Sequence, residues 1–158
     1  MTKPKLSDLL AGDCLLYKPT SLMGLVIAVK TWHWVSHVEV YDCNGCSFAS
    51  RDGVGVNRYP ARGDGLCAVL RPGPAYDHVV AERWFEGHAN GQGYDWLGLL
   101  VFTLAVKAGA KDRMFCSEFA TRLYRVGGLE PFNPGEDADR IAPFQFLTSP
   151  AFRVLWRA

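Results

Sequence analysis

The chain has 158 residues, 49% of them hydrophobic and 13% aromatic, which supplies a core for one globular domain over residues 1–158 and excludes a disordered chain. Its formal net charge of +1 leaves no global footprint for nucleic acid or an anionic membrane. The first eight residues lack the apolar stretch of a signal peptide, so a cytoplasmic location, or delivery by a phage, is expected.

Leu6 to Leu10 predicts a short helix stopped by Ala11-Gly12-Asp13, and Cys14 to Tyr17 a short strand. Leu22 to Lys30 is apolar without breakers after Gly24 and predicts a helix. Val35 to Tyr41 changes period. Val35, His37, Glu39 and Tyr41 alternate with Ser36, Val38, Val40 and Asp42, the pattern of a strand. Asn44-Gly45 is a strong hairpin signal, leading to a strand at Ser47 to Ser50. Gly53 to Tyr59 and Gly65 to Arg71 read as two further strands, closed by Pro72-Gly73-Pro74.

Asp77 to His88 places Val79, Val80, Trp84 and Phe85 at helical spacing, and Ala89 to Gly93 is a turn. Trp96 to Ala108 predicts an apolar core helix. Its run from Leu97 to Val106 falls short of the roughly 20 residues of a membrane span, so no transmembrane segment is expected. Cys116 to Val126 predicts a helix ended by Gly127-Gly128. A polar loop from Pro131 to Asp139, a helical turn at Pro143 to Leu147 and a strand at Phe152 to Trp156 complete the chain. The class is α+β, an antiparallel sheet flanked by helices.

The five cysteines are Cys14, Cys43, Cys46, Cys67 and Cys116, an odd number that argues against a disulfide framework. Cys43 and Cys46 bracket the hairpin turn, and no second Cys-x-x-Cys completes a zinc site; neither metal nor cofactor is expected. A rival metal set of His33, His37 and Glu39 asks for a helix between the histidines and a strand between His37 and Glu39, and one segment does not supply both.

Cys116 stands where a helix begins. Open backbone N–H groups and the helix dipole favour a thiolate there and can stabilise an oxyanion. Glu118, in the same turn, opposes that charge unless it points away. A plain buried cysteine is the competing reading. His37 and Glu39 leave one face of a strand, close enough for the carboxylate to orient the imidazole and raise its basicity. A solvent-facing polar edge is the competing reading there.

The order of motifs adds what single residues do not. Gly12-Asp13-Cys14-Leu15-Leu16-Tyr17 is followed by Ser36-His37-Val38-Glu39-Val40-Tyr41, by Phe48-Ala49-Ser50-Arg51-Asp52-Gly53-Val54, and by Phe115-Cys116-Ser117-Glu118-Phe119. From Leu6 to Tyr124 the chain resembles the circularly permuted branch of the NlpC/P60 superfamily, the YiiX/YaeF-like papain-fold enzymes, in which the histidine strand precedes the cysteine helix. The resemblance implies a permuted papain-like core, with the cysteine helix packed on a small antiparallel barrel-like sheet. It implies Cys116 as nucleophile and His37 as base. In many relatives the orienting residue lies on the next strand; here that region is Phe48-Ala49-Ser50, and Phe48 cannot orient an imidazole. Glu39 takes that place, with Ser50 as second candidate.

Asp13 matches a structural Gly-Asp motif. Tyr17 is a candidate for the oxyanion site or an aromatic wall, and Ser36 and Ser117 are candidates to border the pocket. Tyr94-Asp95 resembles a pair with a packing role. The implied function is a cysteine hydrolase, amidase- or peptidase-like, acting on peptidoglycan-type amides. The alternatives are an acyltransferase or lipid-ester hydrolase of the lecithin:retinol acyltransferase type, or a binding or phage structural module without chemistry. The expected partner is a small peptide, amide or acyl substrate, with no nucleic acid; oligomeric state is not encoded in any motif.

Overall fold

Cys14–Tyr17 (β1) is buried along its whole length, so it must lie between strands and beneath helices. In the computed structural model, which describes residues 2–95 and 114–158, it is the inner strand of a six-stranded antiparallel sheet. The other strands are His37–Tyr41 (β2), Cys46–Arg51 (β3), Gly55–Pro60 (β4), Leu66–Pro72 (β5) and Phe152–Arg157 (β6). Their order is β4-β3-β2-β1-β5-β6, with β4 and β6 as its edges. Pairing runs Cys14↔Val40 to Tyr17↔His37 on one side of β1 and Cys14↔Leu70 to Tyr17↔Leu66 on the other. The apolar segment from Trp96 to Ala108 lies outside the described residues.

Among the described residues three helices accompany the sheet: Leu22–Thr31 (α1), His78–Trp84 (α2) and Cys116–Val126 (α3). Ser21 caps α1 by accepting from the Gly24 N–H, and Asp77 caps α2 by accepting from Val79 and Val80. One face of the sheet joins α2 and α3 in a core that includes Leu16, Val40, Phe48, Phe85, Phe119 and Leu123. The other face holds Leu9, Leu15, Tyr17, Tyr41, Leu66, Val69 and Trp156. No described helix is long and apolar enough to cross a membrane.

The departures from the sequence expectation have local causes. Leu6 to Leu10 makes only a 3-10 turn, Leu6–Asp8, because Asp13 takes the Leu10 N–H that a longer helix would use. Strand β4 starts at Gly55, since Arg51 to Val54 closes a turn first. The α2 segment winds out into a π-turn over Phe85–Ala89, with the Asn90 N–H donating to the Phe85 carbonyl at 2.8 Å. The hairpin is as expected: Asn44 and Gly45 both have positive φ, 50° and 78°, which twists the turn to match its strands.

Two buried contacts tie the start of β1 to the rest. Asp13 receives a two-pronged ion pair from Arg71, at 2.8 Å for each oxygen, which fits the structural reading of the Gly-Asp motif. Tyr124 of α3 donates its hydroxyl to the Gly12 carbonyl at 2.9 Å. Gly12 itself has φ +92°, and a Cβ there would stand 2.4 Å from the Tyr76 ring. Gly12→Ala combines left-handed strain with overpacking and is expected to cost about 3 kcal/mol, read as a fall in the unfolding midpoint by denaturant titration.

Candidate active site

Glu39 lies in the middle of β2, between β1 and β3, with Leu15 opposite it on β1. The pairing Tyr41↔Ser47 places Ser47 and Arg51 on the same face of β3, either side of the small Ala49. The carboxylate is fully buried. Its Oε2 accepts from Ser47 Oγ at 2.5 Å. Its Oε1 accepts from His37 Nε2 at 3.1 Å, Arg51 Nε at 3.0 Å and Arg62 Nη2 at 3.2 Å. Burial alone would push the carboxyl up; the His37 hydrogen bond and charge, then Ser47 and Arg51, outweigh it and hold the group down at about 2.

His37 opens β2 opposite Tyr17, whose ring centroid is 6.0 Å away. Its side chain is 19% exposed. With Nε2 on Glu39, the ring keeps Nδ1 for a second partner, and Cys116 is near enough for its charge to favour the imidazolium. Burial works against the imidazolium, but Cys116 and Glu39 outweigh it and lift the group to about 9.

Cys116 is the first residue of α3 and is buried. Phe115 before it is extended and supplies no side-chain cap to the first turn. Glu118 turns to Arg122, 2.7 Å away, and burial lifts its carboxyl to about 7 against that ion pair.

The cleft beside His37 is a cavity of about 190 Å³ lined by Lys18, Thr20, Ser36, Arg51, Asp52, Arg62 and Tyr94. Gly24 and Ile27 of α1 form a further wall, and a Cβ on Gly24 would stand 3.1 Å from Ser36 Oγ. Tyr94, buried and held above the usual phenol range first by burial and then by the charge of Cys116, packs with Ile27 and Phe115 and also walls the cleft.

The remaining sequence candidates separate. Ser36 lines the cleft. Tyr17 is buried in the core beside the site: its hydroxyl donates to the Arg62 carbonyl at 3.3 Å, and the Arg62 guanidinium lies 5.0 Å from its ring. Ser117 is turned away and donates to the Ile141 carbonyl, and Ser50 donates to the Met114 carbonyl, so neither addresses His37. His33 stacks on Phe144 at 5.1 Å and accepts from the Val35 N–H, so the rival set of His33, His37 and Glu39 is not brought together. Among the described residues no group of three His, Cys, Asp or Glu side chains is placed to hold a metal. Sequence reasoning missed Ser47, Arg51 and Arg62. The first two were within reach, since hairpin register puts them on the face of Glu39. Arg62, from the loop between β4 and β5, gives no pattern signal.

No protein-family model matches the chain, and no curated protein matches it. Among solved structures the chain is similar to the metalloprotein yiiX from Escherichia coli O157:H7, a DUF1105 protein. The TM-score is 0.69 at 16% identity, covering 94% of this chain and 97% of that one. The likeness shows that the two share a fold: a mixed α/β architecture of the YiiX type, with helices packed on an antiparallel sheet.

Glu39 and His37 bias how stability depends on pH, and the raised Glu118 carboxyl acts against them, since it costs stability as pH rises through about 7. Glu39 sits below its ordinary 4.5, so its contribution is present above that value and lost as pH falls through about 2. His37 sits above its ordinary 6.5, so its contribution is full below that value and lost as pH rises through about 9. The stability that the His37–Glu39 pair contributes is expected to decline on both sides of that interval, and imidazole NMR should show His37 losing its proton near pH 9. Glu39→Gln removes a charge that favours the imidazolium, so the His37 titration should move to lower pH.

Proposed function

We propose that the chain is a cysteine-dependent acyl hydrolase, amidase- or peptidase-like, with a permuted papain-like core related to the NlpC/P60 superfamily. The observation that carries this reading is the line Cys116–His37–Glu39: a thiol at the uncapped start of α3, an imidazole beside it, and a buried carboxylate on the ring's other nitrogen. The shared YiiX-type fold supports it, as does the order of the histidine strand before the cysteine helix.

His37 takes the thiol proton of Cys116, and the thiolate attacks the carbonyl carbon of an amide. The carbonyl π electrons move to oxygen, where the Cys116 backbone N–H at the helix start donates to the oxyanion. The tetrahedral centre collapses, the carbon–nitrogen bond breaks, and His37 gives its proton to the leaving amine. Water, losing a proton to His37, attacks the thioester and releases the acid and the thiol. Glu39 keeps the imidazole oriented and its charged form favoured throughout. Polar side chains around the cleft, including Thr20, Ser36 and Asp52, suit a small peptide-like substrate.

The structural neighbour is described as a metalloprotein. The donor set here does not suit a metal: the Glu39 oxygens already accept from His37, Ser47 and two guanidinium groups. No step is therefore derived through a metal.

Cys116→Ala is expected to lower turnover of an amide or ester substrate by about a thousandfold or more with the unfolding midpoint unchanged. In the unmodified protein, turnover should fall as pH rises through about 9, where His37 loses the proton that the leaving group needs. Turnover retained in Cys116→Ala sinks the mechanism.

A further inference from the structure

One side of α1 serves the cleft, where Gly24 and Ile27 form its wall. The other side is apolar and exposed. It carries Leu25, Val26 and Val29, the last 67% exposed, and just past the helix stand Trp32 and Trp34 at 95% and 70%. A helix that is apolar on both sides is ordinarily buried on both.

Trp32 adds an independent observation. It caps α1 at φ 52°, ψ 31°, the left-handed region where glycine is the usual residue. A bulky side chain in that conformation costs free energy, and an almost wholly exposed indole recovers little of it by packing. Strain of this kind persists where a function holds it.

The surrounding charge selects the occupant. From Lys18 to Val38 the sequence contains Lys18 and Lys30 and no carboxylate. Lys18 and Arg157 line a cavity of about 520 Å³ together with Trp32, His33 and Trp34, and no acidic side chain lines it. Neither cation has an ion-pair partner among the described residues. The net charge of +1 for the whole chain hides this local excess. An exposed helix face with aliphatic side chains, two indoles at its end and cations without an ion-pair partner among the described residues at its rim has the chemistry of the lipid–water interface, where indoles rest at headgroup depth and cations meet anionic headgroups.

We propose that the outer face of α1, with Trp32 and Trp34 at its end and Lys18 and Arg157 at its rim, docks the protein on a lipid surface bearing anionic headgroups. The proposal does not depend on the reaction assigned to Cys116.

The test is co-sedimentation of the full chain, carrying Cys116→Ala, with phosphatidylcholine vesicles with and without phosphatidylglycerol. Binding is expected to the phosphatidylglycerol vesicles, weaker at high salt, with a blue shift of tryptophan emission. The double variant Trp32→Gly/Trp34→Ser should bind about tenfold less or weaker, the loss expected for two apolar anchors. It should unfold at the same or a higher midpoint, because glycine relieves the left-handed strain. Lys18→Gln/Arg157→Gln should reduce binding to the anionic vesicles alone. With Cys116 restored, the tryptophan double variant should turn over a soluble ester probe as the parent does, which separates loss of docking from loss of chemistry. Absence of binding to both vesicle types overturns the proposal. So does binding that the tryptophan substitutions leave unchanged, or self-association that buries the indoles without lipid.

Discussion

A carboxylate with no solvent contact has to find all its partners inside the protein, and Glu39 organises the site on that account. Its four donors come from three parts of the chain: His37 on its own strand, Ser47 and Arg51 on the next, and Arg62 from the loop before β5. One buried charge therefore fixes the β2–β3 register, the path of a loop and the orientation of the imidazole. Removing it would leave two guanidinium groups facing each other, a loss of roughly 3 kcal/mol, at the low end for a broken buried pair because both arginines keep contact with water. The positioning of His37 and the integrity of the sheet rest on the same contact.

Cys116 is placed by different means. Its helix is anchored far from the thiol, by Tyr124 on the Gly12 carbonyl and by Phe119 and Leu123 in the core. Ser117 and Thr121 spend their hydroxyls on carbonyls within the same layer. The helix start is thus held by contacts along its length, while its N-cap residue Phe115 supplies no side-chain cap. Rigid support with an open end is what a preorganised oxyanion site requires.

Much of this was legible in the sequence because it rests on local rules. Period-two alternation found β2 and put His37 beside Glu39, and Asn44-Gly45 found the hairpin with its two positive φ values. The start of α3 at Cys116 and its end at Gly127-Gly128 followed from helix signals. Local rules do not carry side-chain direction or long-range contacts. Ser117 faces Ile141, 24 residues away, and Tyr17 gives its hydroxyl to Arg62, 45 residues away. Glu118 turns toward Arg122 by an i,i+4 contact that the sequence does contain. Arg62 is the clearest loss: a loop arginine becomes a ligand of a buried carboxylate only once the sheet has formed. The exposed side of α1 shows the opposite limit, since its apolar pattern reads as core until the fold leaves it outside.

The central claim is that Cys116, alone among the thiols, is activated by His37. Cys43 is the internal control, because it is exposed and lacks that pairing. Incubation with an electrophilic acyl-mimetic probe near neutral pH, followed by peptide mass spectrometry, reads the difference in one experiment. The account predicts a stoichiometric adduct on Cys116, although that residue is buried, and little on Cys43. Modification of Cys43 with Cys116 left untouched would contradict it.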